Sequence, residues 1–418
     1  MTYIEFFDES ALENISTCLT NKPDRVIYIG NDLTLMNKHI DNYKKVLSAR
    51  NFDIEFISKT VPRSKLESAI NVLSDIVEQY DDCVFDITGG DEMYTLALGI
   101  VYANHPNRGI QIHKMNLKNN SVYDCDRDGK TVFKETPVLS VEENIRLYGG
   151  DVLYGAVDED ETYKWDLTED FLRDVGYMWD VCKKNVREWN TVINIIDAVE
   201  QAGKAADEIG LTTVAKMAAV EQKLGKYKYK YPRGIVESLL KKGMLRRFDD
   251  SDGEKVTVSY KNKQVKRCLT KAGQILEMKI FLTAKSVTDK DNNVYNDIVN
   301  GVVIDWDGIF HDEVTENEYD TENEIDVMMM HGVVPVFISC KNGEFTADEL
   351  YKLNTVAECF GGKYSKKVLV STAIDTFKKN TKEYLKQRIK DMDIKLISNV
   401  QAMSDGELAK ELKSIVKN

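Results

Sequence analysis

Long apolar runs are missing from this chain: no stretch of about 18 or more apolar residues occurs, which excludes a conventional membrane-spanning helix. The first thirty residues also lack a basic-then-apolar leader, and a cytoplasmic location is expected. Histidine is scarce, with five residues scattered over 418, so neither a zinc-protease motif nor a histidine-based nuclease centre can be assembled. Cysteine numbers seven without a Cys-x-x-Cys pair, an odd count that argues against a disulfide framework or a zinc site. Excess positive charge is absent too. The formal net charge of −13 speaks against a surface that coats nucleic acid broadly, yet it permits a local channel, because steering depends on how charge is distributed. No internal repeat or long low-complexity segment breaks the chain, whose length accommodates two or three domains.

What is present begins with alternation. Apolar strands near 26–29, 53–57, 83–87 and 110–115 alternate with helical patterns near 34–50, 64–80 and 91–103, which predicts a doubly wound parallel sheet. Two of these strands end in polar turns. One runs from Val26 to Asp32, and the other, Cys83-Val-Phe-Asp-Ile-Thr-Gly-Gly, leads into a helix. Ligands of such sheets sit at the carboxyl ends of the strands, so Gly30, Asn31 and Asp32 are expected to meet Thr88, Gly89 and Gly90 at one crevice. Free N–H groups at the start of the following helix would make it an anion site. The segment is neither a Gly-x-Gly-x-x-Gly fingerprint nor a P-loop, and glycines serving only the turn are the alternative.

The middle region reads as helices near 190–208, 211–223 and Gly234 to Lys242, then a strand from Gly243, a polar turn at 249–253, a strand at 255–260 and a helix from Thr270 to Phe281. This order resembles a winged helix-turn-helix, serving either as a DNA binder or as a spacer. Within it lies the one basic block, 223–233. As an extended strand, the block would put Lys226, Lys228 and Lys230 on one face and Tyr227, Tyr229 and Tyr231 on the other, a pattern suited to single-stranded nucleic acid or to a solvated sheet edge.

Residues 322–343 predict a β-hairpin. With His331-Gly332 as the turn, Asp326 faces Phe337 and Glu324 faces Ser339; Glu324, Asp326, Ser339 and Lys341 share one face, and Ile325, Val327, Ile338 and Cys340 the other. Carboxylates at 324 and 326 can ligate a hard divalent cation, Mn²⁺ or Mg²⁺, and an adjacent lysine can stabilise charge on a phosphodiester in transit. The same hairpin also fits an ordinary sheet edge with solvated acids. The arrangement resembles the PD-(D/E)XK nuclease core, whose acid-any-lysine triplet is Ser339-Cys340-Lys341 here. Because Ser339 replaces an acid, another oxygen must complete the shell. Glu324, Glu344, Glu349 and Glu358 are candidates, the last two on a helix expected from Thr346 to Phe360, with Asp305 a further one. Dense acids at Asp312, Glu313 and Glu316 through Asp320 read mainly as a solvated loop.

A Rossmann-like amino-terminal domain carrying Asp-Ile-Thr-Gly-Gly, joined to a nuclease hairpin, resembles the CARF-domain nucleases of type III CRISPR defence over nearly the whole chain. The resemblance implies an α/β protein with a Rossmann-like CARF sensor at 1–150, a winged-helix-like spacer at 151–285 and a restriction-endonuclease-like nuclease at 286–418. It implies a homodimer that binds a cyclic oligoadenylate, usually the tetra-adenylate, and thereby activates cleavage of single-stranded DNA, RNA or duplex DNA. By position, Gly30 to Asp32 and Thr88 to Glu92 would line the ligand crevice, while Asp326, Lys341 and Glu324 would be catalytic and Asp326 and Glu324 would hold the metal. Asp91-Glu92 stands where many such domains place a basic residue, leaving backbone N–H groups as the phosphate donors. The alternatives are a ligand-responsive transcription regulator using the middle module, and a repair or junction-resolving enzyme on the same nuclease core. The shared face of Glu324, Asp326 and Lys341 argues against the first; the crevice argues against the second.

Overall fold

The structure, a computed structural model, describes residues 1–117, 121–125, 130–132, 137–155, 162–289, 292–308 and 322–417. The dense acids at Asp312, Glu313 and 316–320 lie outside the described residues.

The amino-terminal sheet comprises β1 (Thr2–Phe6), β2 (Arg25–Gly30), β3 (Glu55–Thr60), β4 (Cys83–Asp86), β5 (Gln111–Asn116), β6 (Ser121–Asp124) and β7 (Lys130–Val132) in the order 3-2-1-4-5-6-7. The first five are parallel, and β6 and β7 complete an antiparallel edge. Helices α1 (Ala11–Asn21), α2 (Leu33–Ala49), α3 (Leu66–Gln79) and α4 (Glu92–Asn104) connect the parallel strands up to β4 and into β5. The sequence pattern misses β1. That strand is five residues long and carries the buried acid Glu5 among its apolar residues, which interrupts the run a buried strand should show. The strand lies at the centre of the sheet, so the order reverses between β1 and β4, and a crevice opens there at the strands' carboxyl ends.

Helix α5 (Val141–Leu147), closed by a capping box from Ser140 and Glu143, leads to the short β8 (Asp151–Val152), which joins the carboxy-terminal sheet. The middle region then folds as α6 (Glu169–Cys182), α7 (Val186–Ala202), β9 (Thr212–Lys216), α8 (Met217–Leu224), α9 (Arg233–Lys241), β10 (Leu245–Asp249), β11 (Lys255–Tyr260), α10 (Lys263–Thr270) and α11 (Gln274–Lys285). Two expectations change here. The start of the helix expected at 211–223 is the strand β9, whose β-branched Thr-Thr-Val pairs antiparallel with β11. The basic block 223–233 forms no strand: the hydroxyls of Tyr229 and Tyr231 donate to Asp250 at 3.2 and 2.8 Å, whereas Tyr227 stays exposed.

The second large sheet contains β12 (Asp297–Asp305), β13 (Glu322–His331), β14 (Val334–Lys341), β15 (Lys366–Ser371) and β16 (Ile394–Ser398), in the order 16-15-14-13-12-8. Helix α12 (Ala347–Gly361) crosses from β14 to the parallel β15, and α13 (Lys379–Asp391) from β15 to β16. The hairpin forms with a register two residues from the expected one. His331 pairs with Val334 and Val327 with Ile338, so the turn is Gly332-Val333. Glycine at the first central position with φ +62 suits the II′ turn, which matches strand twist better than a turn centred on His331. The paired register runs from His331–Val334 to Val327–Ile338 and stops short of Glu324 and Lys341; Asp326 meets β14 through its side chain, which accepts from Ser339 and from Cys340 N. One other departure concerns apolar partners. The β12–β13 ladder skips Gly301 and Asp326, and Ile325 packs with Val302 and Ile304, whereas Val327 packs with Ile338 and Cys340 against the middle region. Among the described residues no helix is long and apolar enough to cross a membrane.

Candidate active site

Where α11 and α12 approach the end of the β13–β14 hairpin, a cleft of about 570 Å³ opens. Glu324, Asp326, Ser339 and Lys341 all line it. So does Glu277 of α11, the residue that sequence reasoning missed. Carboxylate oxygens of Glu277, Glu324 and Asp326 lie within 4.8 Å of one another, and Glu277 is only 2 % exposed. A signal for Glu277 was present. Helix α11 reads Gln-Ile-Leu-Glu-Met-Lys-Ile-Phe, apolar around most of its circumference, so an acid there is forced into the interior and needs a compensating charge.

The other nominated acids fall elsewhere. Glu344 and Glu349 line the cleft, and Glu349 accepts an ion pair from Lys341 at 2.6 Å. Glu358 is exposed on α12 and does not line the cleft, nor does Asp305, buried at the end of β12. Ser339 braces the site instead of ligating it. Its hydroxyl lies 3.3 Å from Asp326 Oδ2, the oxygen that also accepts the Cys340 N–H at 2.5 Å. Behind the acids, Gln274 donates to Glu277 at 3.1 Å and to Asn300 Oδ1 at 3.2 Å, while the Asn300 amide holds the Asp326 carbonyl at 2.9 Å. A second cation, Lys271, pairs with Glu324.

Electrostatics follow from crowding. Burial, reinforced by the charges of Asp326 and Glu324, pushes the Glu277 carboxyl up to about 8, against the pull of Lys271 and Lys341. Asp326 is raised as well, by burial first, with Lys341 and the Cys340 N–H opposing. Burial disfavours charge on Lys271 and Lys341, but the surrounding carboxylates outweigh it and raise both. Three crowded carboxylates with an all-oxygen donor set fit a hard divalent cation, whose charge would replace the proton on Glu277. The sign follows: below about 8 a cation must displace that proton, and above it the site is already ionised. Manganese affinity of the intact protein should therefore rise up to about tenfold per pH unit toward pH 8 and level off beyond. Calorimetry at pH 6.5 and 8.5 checks this, and equal affinities would remove Glu277 from the site.

At the switch point of the first sheet, a cleft of about 290 Å³ is lined by Gly30, Asn31, Asp32, Gly90 and Asp91, joined by Phe7, Asp8 and Glu9 after β1 and by Arg63 before α3. Asp32 and Asp91 cap α2 and α4, accepting from Leu35 N and Met93 N. Gly90 has φ +86, and a Cβ there would lie 2.3 Å from Phe6 Cβ, so only glycine lets the chain pass this close to β1. Thr88, Gly89 and Glu92 are outside the lining. Thr88 bonds Asp86 and accepts from Met115 N at 2.7 Å, and a Cβ on Gly89 would point at Asp8 and Glu13. Arg63, a basic side chain in this lining, stands 3.8 Å from Asp91.

The two clefts are connected by α12. Its first turn carries Glu349 against Lys341, and beyond its last turn Lys363 pairs with the buried Glu13 at 2.7 Å, joined there by Tyr364. Glu13 in turn lies beneath Gly89.

No family model and no curated protein matches the sequence. Solved structures do. The chain superposes on protein VC1899 from Vibrio cholerae with a TM-score of 0.72 at 14% identity, covering 100% of this chain and 97% of that one. It superposes on Can2 from Sulfobacillus thermosulfidooxidans, solved in complex with cyclic tetra-adenylate, with a TM-score of 0.67 at 15% identity, covering 99% of each. The chain shares the fold of Can2 from end to end. That fold is α/β: a Rossmann-like sheet with five parallel strands and an antiparallel edge, a middle of helices and short strands, and a second sheet of six strands.

Proposed function

We propose that this protein is a nuclease of CRISPR defence that requires a divalent cation and is switched on by a cyclic oligoadenylate, the tetra-adenylate first among them. The observation that carries the reading is the cluster of Glu277, Glu324 and Asp326 beside Lys341 at the end of a β-hairpin. The shared fold with a cyclic tetra-adenylate complex supports the activator, and the switch-point cleft with Arg63 and Gly90 supports its location. On this reading residues 1–150 sense, 151–285 space and 286–418 cleave, with α11 of the spacer lending Glu277 to the nuclease.

Glu277, Glu324 and Asp326 would hold Mn²⁺ or Mg²⁺, and such a cation supplies charge for the scissile phosphate and lowers the pKa of a nearby water. The chain's own residues do the rest. Lys341, kept charged by Asp326 and Glu349, faces the cleft as a compact cation for the developing phosphorane charge. Ser339, the Cys340 N–H and Asn300 fix Asp326, so its oxygens need little reorganisation. The substrate is a DNA or RNA phosphodiester in the cytoplasm, and two chains share one cyclic ligand across a two-fold axis. A transcription regulator would leave the cluster of three acids and two lysines, with Glu277 buried among them, unexplained.

The test is cleavage of labelled DNA and RNA strands in the presence of cyclic tetra-adenylate. It should stop with excess chelator and return with Mn²⁺ or Mg²⁺. Undiminished cleavage in chelator would overturn the cation-dependent reading.

A further inference from the structure

Beside the catalytic cleft lies a larger one, about 850 Å³, whose chemistry differs. Lys183, Lys184 and Arg187 from the α6–α7 junction form one wall, and Tyr227 and Lys228 from the loop after α8 contribute another. Both clefts are bordered by Gly343 and Glu344, which follow Lys341 by two and three residues. Lys183 pairs with Asp180 at 2.6 Å, a contact within one helix turn. Among the described residues no carboxylate pairs with the side chains of Lys184, Arg187 or Lys228. In a chain of net charge −13, a concave surface with four cations and one bordering acid is a local inversion of the field. Tyr227 is 61 % exposed, with the Lys226 ammonium 5.4 Å from its ring centroid. An exposed aromatic at the rim of a basic groove has no packing purpose, since its neighbours Tyr229 and Tyr231 are the ones tied to Asp250.

The groove is also mechanically part of the catalytic hairpin. Asn342, the residue after Lys341, donates to Asn190 Oδ1 of α7 at 3.1 Å, and Asn190 bonds the Asn342 carbonyl in return. A strand held by α7 is thus held in fixed relation to Lys341. We infer that this groove is the binding track for a single-stranded polynucleotide on its way to the catalytic cleft. Lys184, Arg187 and Lys228 contact its phosphates and Tyr227 stacks on a base. The single strand follows from Tyr227: base faces are available for stacking only when they are not already covered by a duplex neighbour.

This inference rests on the nuclease reading, so the experiment separates the two. Anisotropy of labelled single-stranded DNA and RNA, measured on the full chain in chelator, reads binding alone; hydrolysis of a small aryl phosphodiester with Mn²⁺ and cyclic tetra-adenylate reads the chemical centre alone. Lys184→Ala/Arg187→Ala should weaken strand binding at least tenfold and lower the salt slope by about 1.4, that is 0.7 per lost phosphate contact on a single strand. Tyr227→Ala should weaken it about tenfold with the salt slope unchanged. Both variants should hydrolyse the small diester like wild type. Unchanged strand affinity in both variants would overturn the groove. Equal affinity of wild type for duplex and single strand, with no effect of Tyr227→Ala, would overturn its single-strand character. Failure of wild type to hydrolyse any diester would count against the nuclease reading and leave the binding arm to judge the groove.

Discussion

Glu277→Gln is expected to lower cleavage by at least about 10²–10³-fold, as much as Asp326→Ala or Lys341→Ala, although it lies far from the hairpin in sequence. The substitution keeps size and shape, and an amide oxygen can still accept from Gln274, but it cannot offer a cation an anionic oxygen. Folding should not suffer. Because Glu277 is held at about 8 against an ordinary value of 4.5, the native state binds more protons than the unfolded chain between those pH values, and ionising this group costs stability as pH rises. In chelator at pH 8 the glutamine variant should therefore melt at the wild-type temperature or above it. Single-turnover cleavage and thermal melts test both halves, and a near-wild-type rate would take Glu277 out of the centre. Ser339→Ala should be mild, since the Cys340 N–H holds the same Asp326 oxygen more closely than the serine hydroxyl does.

Arg63→Glu is the second large effect. Arg63 is the basic side chain among the residues that line the switch-point cleft, where it faces Asp8, Glu9, Asp32 and Asp91. Reversing its charge adds a fifth acid to a site proposed to receive phosphates. Activator affinity should fall at least tenfold and, at a fixed low concentration of cyclic tetra-adenylate, cleavage should nearly vanish. Arg63 is 62 % exposed and pairs only loosely with Asp91, so the fold should be untouched. Calorimetry should find one cyclic ligand per two wild-type chains and much weaker heat with the variant. One ligand per chain, or unaltered affinity in the variant, would relocate the sensor.

Much of this was legible because short-range patterns carry it. The alternating strands and helices of the first sheet, the Gly89-Gly90 turn and the hairpin's alternation as far as Val327 follow from periods of 3.6 and 2, whereas Ile325 turns to the other core where the β12–β13 ladder skips Asp326. Features that depend on distant packing were not. Strand β1 hides behind a buried glutamate, and its centrality appears only once β2 and β4 flank it. Glu277 and Lys271 belong by sequence to the spacer, and only the docking of α11 on β13 brings them to Asp326. Arg63 reaches Asp91 across the sheet's upper edge, so no spacing rule links it to the glycines. The basic block at 223–233 misled as a strand because alternation also arises in a loop that tucks two tyrosines under and leaves one outside.

On the proposed reading, occupation of the switch-point cleft controls chemistry in the cleft at the other end of α12. The most direct measurement is the single-turnover rate of strand cleavage at saturating Mn²⁺ as cyclic tetra-adenylate is titrated onto the wild-type protein. A slow basal rate should rise at least about a hundredfold and saturate at half an equivalent per chain, because a ligand activates only as far as it favours the cleaving state. A rate as fast without the ligand as with it would show that the switch-point cleft does not govern cleavage.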